Sequence, residues 1–281
     1  MKILFTFCVI IIFSLKSTGQ KPAALNKSVI EMIRSGKINR NLFQQDGILM
    51  ADYQSELKGI DNISRYYDSL FLNNSISDYQ MTSHELFDFG NTVVDIGNFQ
   101  WLREKRNESG KYWNVWKKDV TGTYRLFTQA FGFFHKIDTP TLLSFKISSM
   151  KLREDTSSFE LQAYNALMEK AVRERSGMLR TEFFTDDAIF YPFEDSPKVS
   201  KKVLLPYLIA YNSGDVTIPS IKIFTTYQAS FGEYILEYNG FNVDWQSGNY
   251  QGSTTGKGVR IWRRQPNGSL KILREIGLHD L

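Results

Sequence analysis

The chain has 281 residues, 42% of them apolar and 23% charged, with a formal charge of +4 and one cysteine. That is ordinary globular composition, long enough for two modest domains. A charge this small, carried by scattered cations, excludes a nucleic-acid surface, and a lone cysteine excludes a disulfide framework.

The first nineteen residues differ from the rest. Lys2 precedes the apolar run "ILFTFCVIIIF" from Ile3 to Phe13, and "SLKSTG" follows before Gln20. This is the pattern of a secretory signal peptide at 1–19, cleaved near Gly19. The run is shorter than the roughly 20 residues that span a bilayer, which makes a retained membrane anchor the lesser alternative. The expectation is an exported protein, periplasmic or extracellular, with no membrane segment in the mature form. Cleavage also removes Cys8, and with it any thiol nucleophile or Cys-ligated metal.

Residues 20–137 read as a first domain. "ALNKSVIEMIRSG" predicts a helix closed by Gly36. A short apolar segment follows "QQD", and Asp61 is placed to cap a second helix, "NISRYYDSLFL". "TVVDIGNFQWL", "KYWNVWKKD" and "TYRLFTQAFGFF" are rich in β-branched and aromatic residues and predict strands. Residues 138–156, with Pro140 and several Ser and Thr, read as a linker, in which "TLLSFKI" could form an extra strand.

Residues 157–281 repeat the order. Ser157-Ser158-Phe159-Glu160 reads as a capping box ahead of apolar residues at helical spacing, Leu161, Tyr164, Leu167, Met168 and Ala171. An apolar segment follows "TDD", and Ser200 leads "KKVLLPYLIAY", which Pro206 should kink. Strands are predicted at "SIKIFTTYQAS", "EYILEYNGFNVDW", "GKGVRIWRRQ" and "SLKILREIGL". The two portions align directly. Phe43–Tyr67 lies over Phe184–Leu208 without a gap, Val93–Phe99 over Ile235–Phe241, and Val115–Leu126 over Ile261–Ile272, at offsets of 141, 142 and 146. The last pair, "VWKKDVTGTYRL" and "IWRRQPNGSLKI", reads as a hairpin written twice. Gly122 and Gly268 fall where the turn needs positive φ, and Trp116 and Trp262 pack across the sheet.

The cues "DDAIFYP", "LKGIDNI", "VVDIG" and the duplicated Trp–Gly hairpin, in that element order, resemble the nuclear transport factor 2-like superfamily. That superfamily includes the SnoaL-like polyketide cyclases and the ketosteroid isomerases. The resemblance implies an α+β protein of two tandem cone-shaped domains, each a curved antiparallel sheet wrapped around helices and opening on an apolar pocket. Superfamily members commonly dimerise through the outer sheet face, so the tandem chain is expected to form an intramolecular pseudo-dimer. The second copy departs from the first where Ser200 replaces Gly59 and Asn239-Gly240 replaces Ile96-Gly97.

Enzymes of this superfamily use a pocket carboxylate as base, and the matched candidates are Asp95 and Glu237. Strand alternation puts Asp95 on a face with Phe99 and Trp101, and Glu237 with Phe241. Among aromatics such a group would titrate high and could act as a base; the commoner fate of a sheet carboxylate is to pair with a cation on the next strand. Tyr53 and Tyr191 follow the first strand of each copy and either line a pocket or cover a helix end. His279, with Arg274 and Glu275 upstream, either reaches a pocket mouth or, more commonly at such a position, belongs to a frayed tail. No metal-ligand spacing, P-loop, dinucleotide fingerprint or nucleophile elbow occurs, so no metal and no cofactor is expected. The favoured reading is an exported binder of a small apolar or amphipathic ligand, or a scaffold. The alternative is a cofactor-free isomerase, cyclase or dehydratase using Asp95 or Glu237.

Overall fold

The computed structural model describes residues 22–73, 76–103, 106–137 and 155–280. The signal peptide expected at 1–19, nearly all of the linker at 138–156 and the strand considered at 141–147 lie outside the described residues. The first copy runs α1 (Pro22–Ser35), a 3-10 turn, β1 (Phe43–Ala51), β2 (Leu57–Lys58), α2 (Ile60–Asn73), β3 (Ile76–Asp88), β4 (Thr92–Arg103), β5 (Arg106–Lys118) and β6 (Tyr124–Phe133). The second runs α3 (Phe159–Arg173), α4 (Gly177–Thr181), β7 (Phe184–Tyr191), β8 (Lys198–Val199), α5 (Lys201–Tyr211), β9 (Thr217–Phe231), β10 (Tyr234–Ser247), β11 (Tyr250–Arg264) and β12 (Leu270–His279). Among the described residues no helix is long and apolar enough to cross a membrane.

Each copy builds a six-stranded sheet, ordered β2-β1-β6-β5-β4-β3 and β8-β7-β12-β11-β10-β9. All neighbours run antiparallel except β1 with β6 and β7 with β12, which are parallel. The chain leaves the first long strand through a helix, crosses to the far edge and returns by three antiparallel steps. The last strand therefore arrives beside the first running the same way. The predicted hairpins are present, each with a bulge beside its Trp, at Val115/Trp116 and Ile261/Trp262. Their turns hold Gly122 at φ 82° and Gly268 at φ 84°, a region that glycine enters without steric cost.

Some local details differ from expectation. Ser158, not Ser157, caps α3 by accepting the Leu161 N–H at 3.3 Å, and Glu160 instead pairs with Arg264 at 2.8 Å. Asp61 lies inside the first turn of α2 and pairs with Arg40. β3 and α4 were not read from the sequence.

Strand alternation sends one residue set inward and the next outward. Val93, Phe99, Trp101 and Trp116 pack inside the first copy with α1 and α2. Ile235, Trp262 and Ile272 pack inside the second with α3 and α5. The outer faces meet each other: Val94, Ile96, Trp113 and Val115 share one apolar cluster with Leu236, Tyr238, Val259 and Ile261. A large apolar side chain fully buried there is worth about 1.5–3 kcal/mol over leaving it exposed, which holds the sheets back to back. The polar contacts across this seam follow the repeat. Lys111 donates to the carbonyl of Pro192, and Lys257, its counterpart 146 residues on, donates to the carbonyl of Gln54 at 2.5 Å. Tyr53 and Glu194, 141 residues apart and both at positive φ, hydrogen-bond to each other.

Candidate functional site

The interior of the second cone holds a cavity of about 450 Å³. The matching interior of the first holds about 20 Å³. The two spaces are the same place in the fold. The repeat offsets carry the first cavity's lining residues Tyr67, Leu70, Tyr79, Phe99, Trp101, Gln129 and Phe131 onto Leu208, Tyr211, Ile221, Phe241, Val243, Glu275 and Gly277, all of which line the second.

The difference lies in side-chain size. Tyr67, Tyr79, Trp101 and Phe131 give way to Leu208, Ile221, Val243 and Gly277. Beside them, Tyr112, paired across the sheet with Phe131, corresponds to Gly258, paired with Gly277. An aromatic pair that plugs the first cone is thus a glycine pair in the second. A Cβ built on Gly277 would stand 3.7 Å from the Phe190 ring, ordinary contact, so the space above it is open.

The wall of the second cavity is mostly apolar, from Met168 and Val172 of α3 to Tyr207 and Leu208 of α5 and Ile223, Phe241 and Val243 of the sheet. Arg175, Arg180, Tyr211 and Trp245 stand at its more exposed parts. At the buried end Arg260 donates through Nε to Glu275 at 2.7 Å and lies 3.5 Å from Glu237. His279 stacks on Phe193 with centroids 4.3 Å apart and planes 3° apart. Burial, with the Lys257 and Lys111 charges nearby, pushes its imidazole down to about 4, so it is neutral at pH 7. Asn239 lies on this wall, 3% exposed, and its Nδ2 has no hydrogen-bond partner.

Glu237 is fully buried behind the wall. It accepts from Thr225 Oγ1 at 2.6 Å and Trp262 Nε1 at 2.7 Å, and Arg260 stands directly opposite on β11. Asp95 is also fully buried and has a polar cage of its own. Asn26 Nδ2 and Ser83 Oγ donate to it at 2.5 Å each, and the Tyr112 hydroxyl at 3.3 Å. Burial raises its pKa against the pull of those hydrogen bonds. Neither carboxylate lines either of these two cavities.

Of the predicted pocket residues, Phe241 lines the large cavity, and Phe99 and Trp101 border the small one. Tyr191 packs edge-on against Trp113 between the sheets, and Tyr53 sits on the seam. His279, read as tail, ends β12 and forms cavity wall. Arg260 and Glu275 were not proposed as site residues from the sequence, and Asn239 was noted only as a departure from the repeat. Reading the repeat crosswise for large-to-small exchanges would have found the open cone.

No protein-family model matches the sequence, and no curated protein matches it. Among solved structures the chain is similar to a ketosteroid isomerase-like protein from Erwinia carotovora atroseptica, at 10% identity and TM-score 0.38, over 43% of this chain and 93% of that one. It is similar to an NTF2-like protein from Cytophaga hutchinsonii, at 12% identity and TM-score 0.35, over 42% and 94%. It is also similar to a domain of unknown function with a cystatin-like fold from Nostoc punctiforme, at 13% identity and TM-score 0.37, over 45% and 80%. The element order and sheet topology above are those of two nuclear transport factor 2-like domains in tandem.

Proposed function

We propose that the protein is an exported binder of a small amphipathic molecule, held in the second cone, with the first cone serving as a filled partner that braces the outer face of its sheet. One observation carries this reading: equivalent interiors of one chain differ between about 20 and about 450 Å³. A volume of that size, walled by aliphatic and aromatic side chains with a few buried polar groups, suits a small organic ligand. Binding is favoured over catalysis because the one carboxylate on the wall, Glu275, is engaged by Arg260, and neither Asp95 nor Glu237 reaches the space.

The test is crystallography of the mature protein after incubation with an organic extract of cells. Ordered density inside the second cone, absent from the first, is expected. Gly277→Phe, which restores the residue type of Phe131, should abolish it. A second cone that stays empty, or density found only elsewhere, would overturn the proposal.

A further inference from the structure

Four of the charged side chains that line the second cavity are cations, Arg175, Arg180, Lys257 and Arg260, and one is a carboxylate, Glu275. The two cations at the buried end are met within the protein. Asp280 holds Lys257 at 2.7 Å, and Arg260 lies 2.7 Å from Glu275 and 3.5 Å from Glu237. Arg175 and Arg180 are different. Both stand half-buried toward the open end, and among the described residues neither forms an ion pair. Arg175 donates one N–H to the carbonyl of Asn212 at 2.5 Å, and the Arg180 guanidinium lies 5.9 Å from the centre of the Tyr211 ring. The turn after α3 and the short helix α4 thus bring two guanidiniums to the same end of α5. A guanidinium carries five N–H donors, so most of theirs are unspent on the protein.

The repeat points the same way. Gly36 closes α1 at φ 62°, its N–H on the carbonyl of Ile33 at 3.1 Å, and Arg175 closes α3 at φ 51°, its N–H on the carbonyl of Val172 at 3.0 Å. Ile33 and Val172 line the two cavities, so Gly36 and Arg175 occupy one position in the fold. Glycine is the usual residue at such a helix end because it enters the left-handed region without steric cost. The closed cone keeps that glycine, and its neighbouring cation, Arg34, is neutralised by Asp78 at 2.6 Å. The open cone accepts the strain and sets an arginine, free of any such acid, on the wall of the cavity. A planar guanidinium fork at the end of an apolar space is suited to a carboxylate.

We infer that Arg175 and Arg180 form an anion clamp at the open end of the second cone, and that the ligand is an amphipathic carboxylate whose apolar body fills the cavity and whose head group is held by that clamp. This rests on the proposed binding by the second cone, and the test separates the two. Three probes sharing one decyl chain are titrated into the mature protein by calorimetry at neutral pH: decanoate, decanol and decylammonium. Decanoate should bind about tenfold more tightly than decanol, the scale of charge-assisted hydrogen bonds partly screened by solvent, and decylammonium should bind most weakly. Arg175→Gly, which restores the residue type of Gly36, combined with Arg180→Gln should bring decanoate down to the affinity of decanol while decanol binds as before. Arg180→Gln alone, on the half-buried face of α4, should lose about threefold for decanoate only, one arginine's share of that preference. Gly277→Phe should block every probe. If decanol binds and Gly277→Phe blocks it, but decanoate has no advantage or decylammonium is preferred, the anionic ligand is wrong and the binding cone stands. If decanoate keeps its advantage in the double variant, its carboxylate is met elsewhere and the clamp is wrong. If no probe binds, cone and clamp fall together.

Discussion

The two cones share strand order, hairpin bulges and a back-to-back seam, yet one is packed shut and the other open. The backbone does not decide this. Both sheets pair their fifth and sixth strands in the same register, and Tyr112 opposite Phe131 becomes Gly258 opposite Gly277. A curved sheet wrapped around helices leaves an axial space whose occupancy is settled by a few inward side chains. Duplication frees one copy to spend those positions on packing and the other on a cavity.

The largest expected effect tests this division directly. Phe131 contacts the rings of Tyr66 and Phe99 in the closed cone. Phe131→Ala should cost about 3–5 kcal/mol, the usual range for deleting a buried aromatic ring. Gly277→Ala, at the equivalent site, should change stability by less than about 1 kcal/mol, because the new methyl meets only the Phe190 ring at contact distance. Urea denaturation of both variants measures it. Equal costs would mean that the second cone is closed in solution.

A second contrast lies on the seam. Asp52 and Phe193 are equivalent, 141 residues apart. Phe193 stacks on His279, whereas Asp52 accepts the backbone N–H of Phe133, the counterpart of His279, at 2.9 Å. Burial raises the Asp52 carboxyl to about 7, although Lys111 and Lys257 pull against the rise. Between the ordinary carboxyl value and 7 the folded state therefore holds a proton that the unfolded chain has released. Stability from this group falls as pH climbs through that window, and the loss is complete above it. Asp52→Asn should match the wild type near pH 4 and exceed it by about 4 kcal/mol at pH 8. His279 titrates in both proteins and cancels from the difference. Urea unfolding at the two pH values decides. A variant less stable than the wild type at pH 8 would mean that the ionised carboxylate is a net stabiliser of the seam.

Much of this was legible in the chain. The duplicated Trp–Gly phrase located both hairpins, and the offsets of 141, 142 and 146 aligned the elements correctly. Asp95 and Glu237 were rightly matched and rightly placed on inward faces. Periodicity could not report what lay in front of them. Glu237 is one methylene longer than Asp95 and reaches Trp262, while the Nε1 of Trp116 finds no partner. The ion pair with Arg260 depended on a cross-strand register that only the assembled hairpin defines. β3 was missed because "ISDYQMTSHELFD" is polar and largely exposed along its length, so it carries little of the apolar alternation by which strands are read.

The smallest effect concerns the one departure that works against the second copy. Gly59 precedes α2 at φ 82°, and Ser200, its equivalent, precedes α5 at φ 79° and ψ 149°. That is a region open essentially to glycine, and a side chain held there costs about 1–3 kcal/mol. Ser200 recovers nothing through its hydroxyl, which makes no capping hydrogen bond to the helix. What holds it there is backbone geometry: its N–H donates to the carbonyl of Ala188 at 2.7 Å, as that of Gly59 donates to Gly47 at 2.8 Å. Ser200→Gly should therefore stabilise the protein by about 1 kcal/mol, the relieved strain being partly offset by the greater freedom glycine gives the unfolded chain. Gly59→Ser should destabilise it by a similar amount. Thermal unfolding of both variants measures this, and a Ser200→Gly protein that melts below the wild type would show the serine to be contributing an interaction of its own at the head of α5.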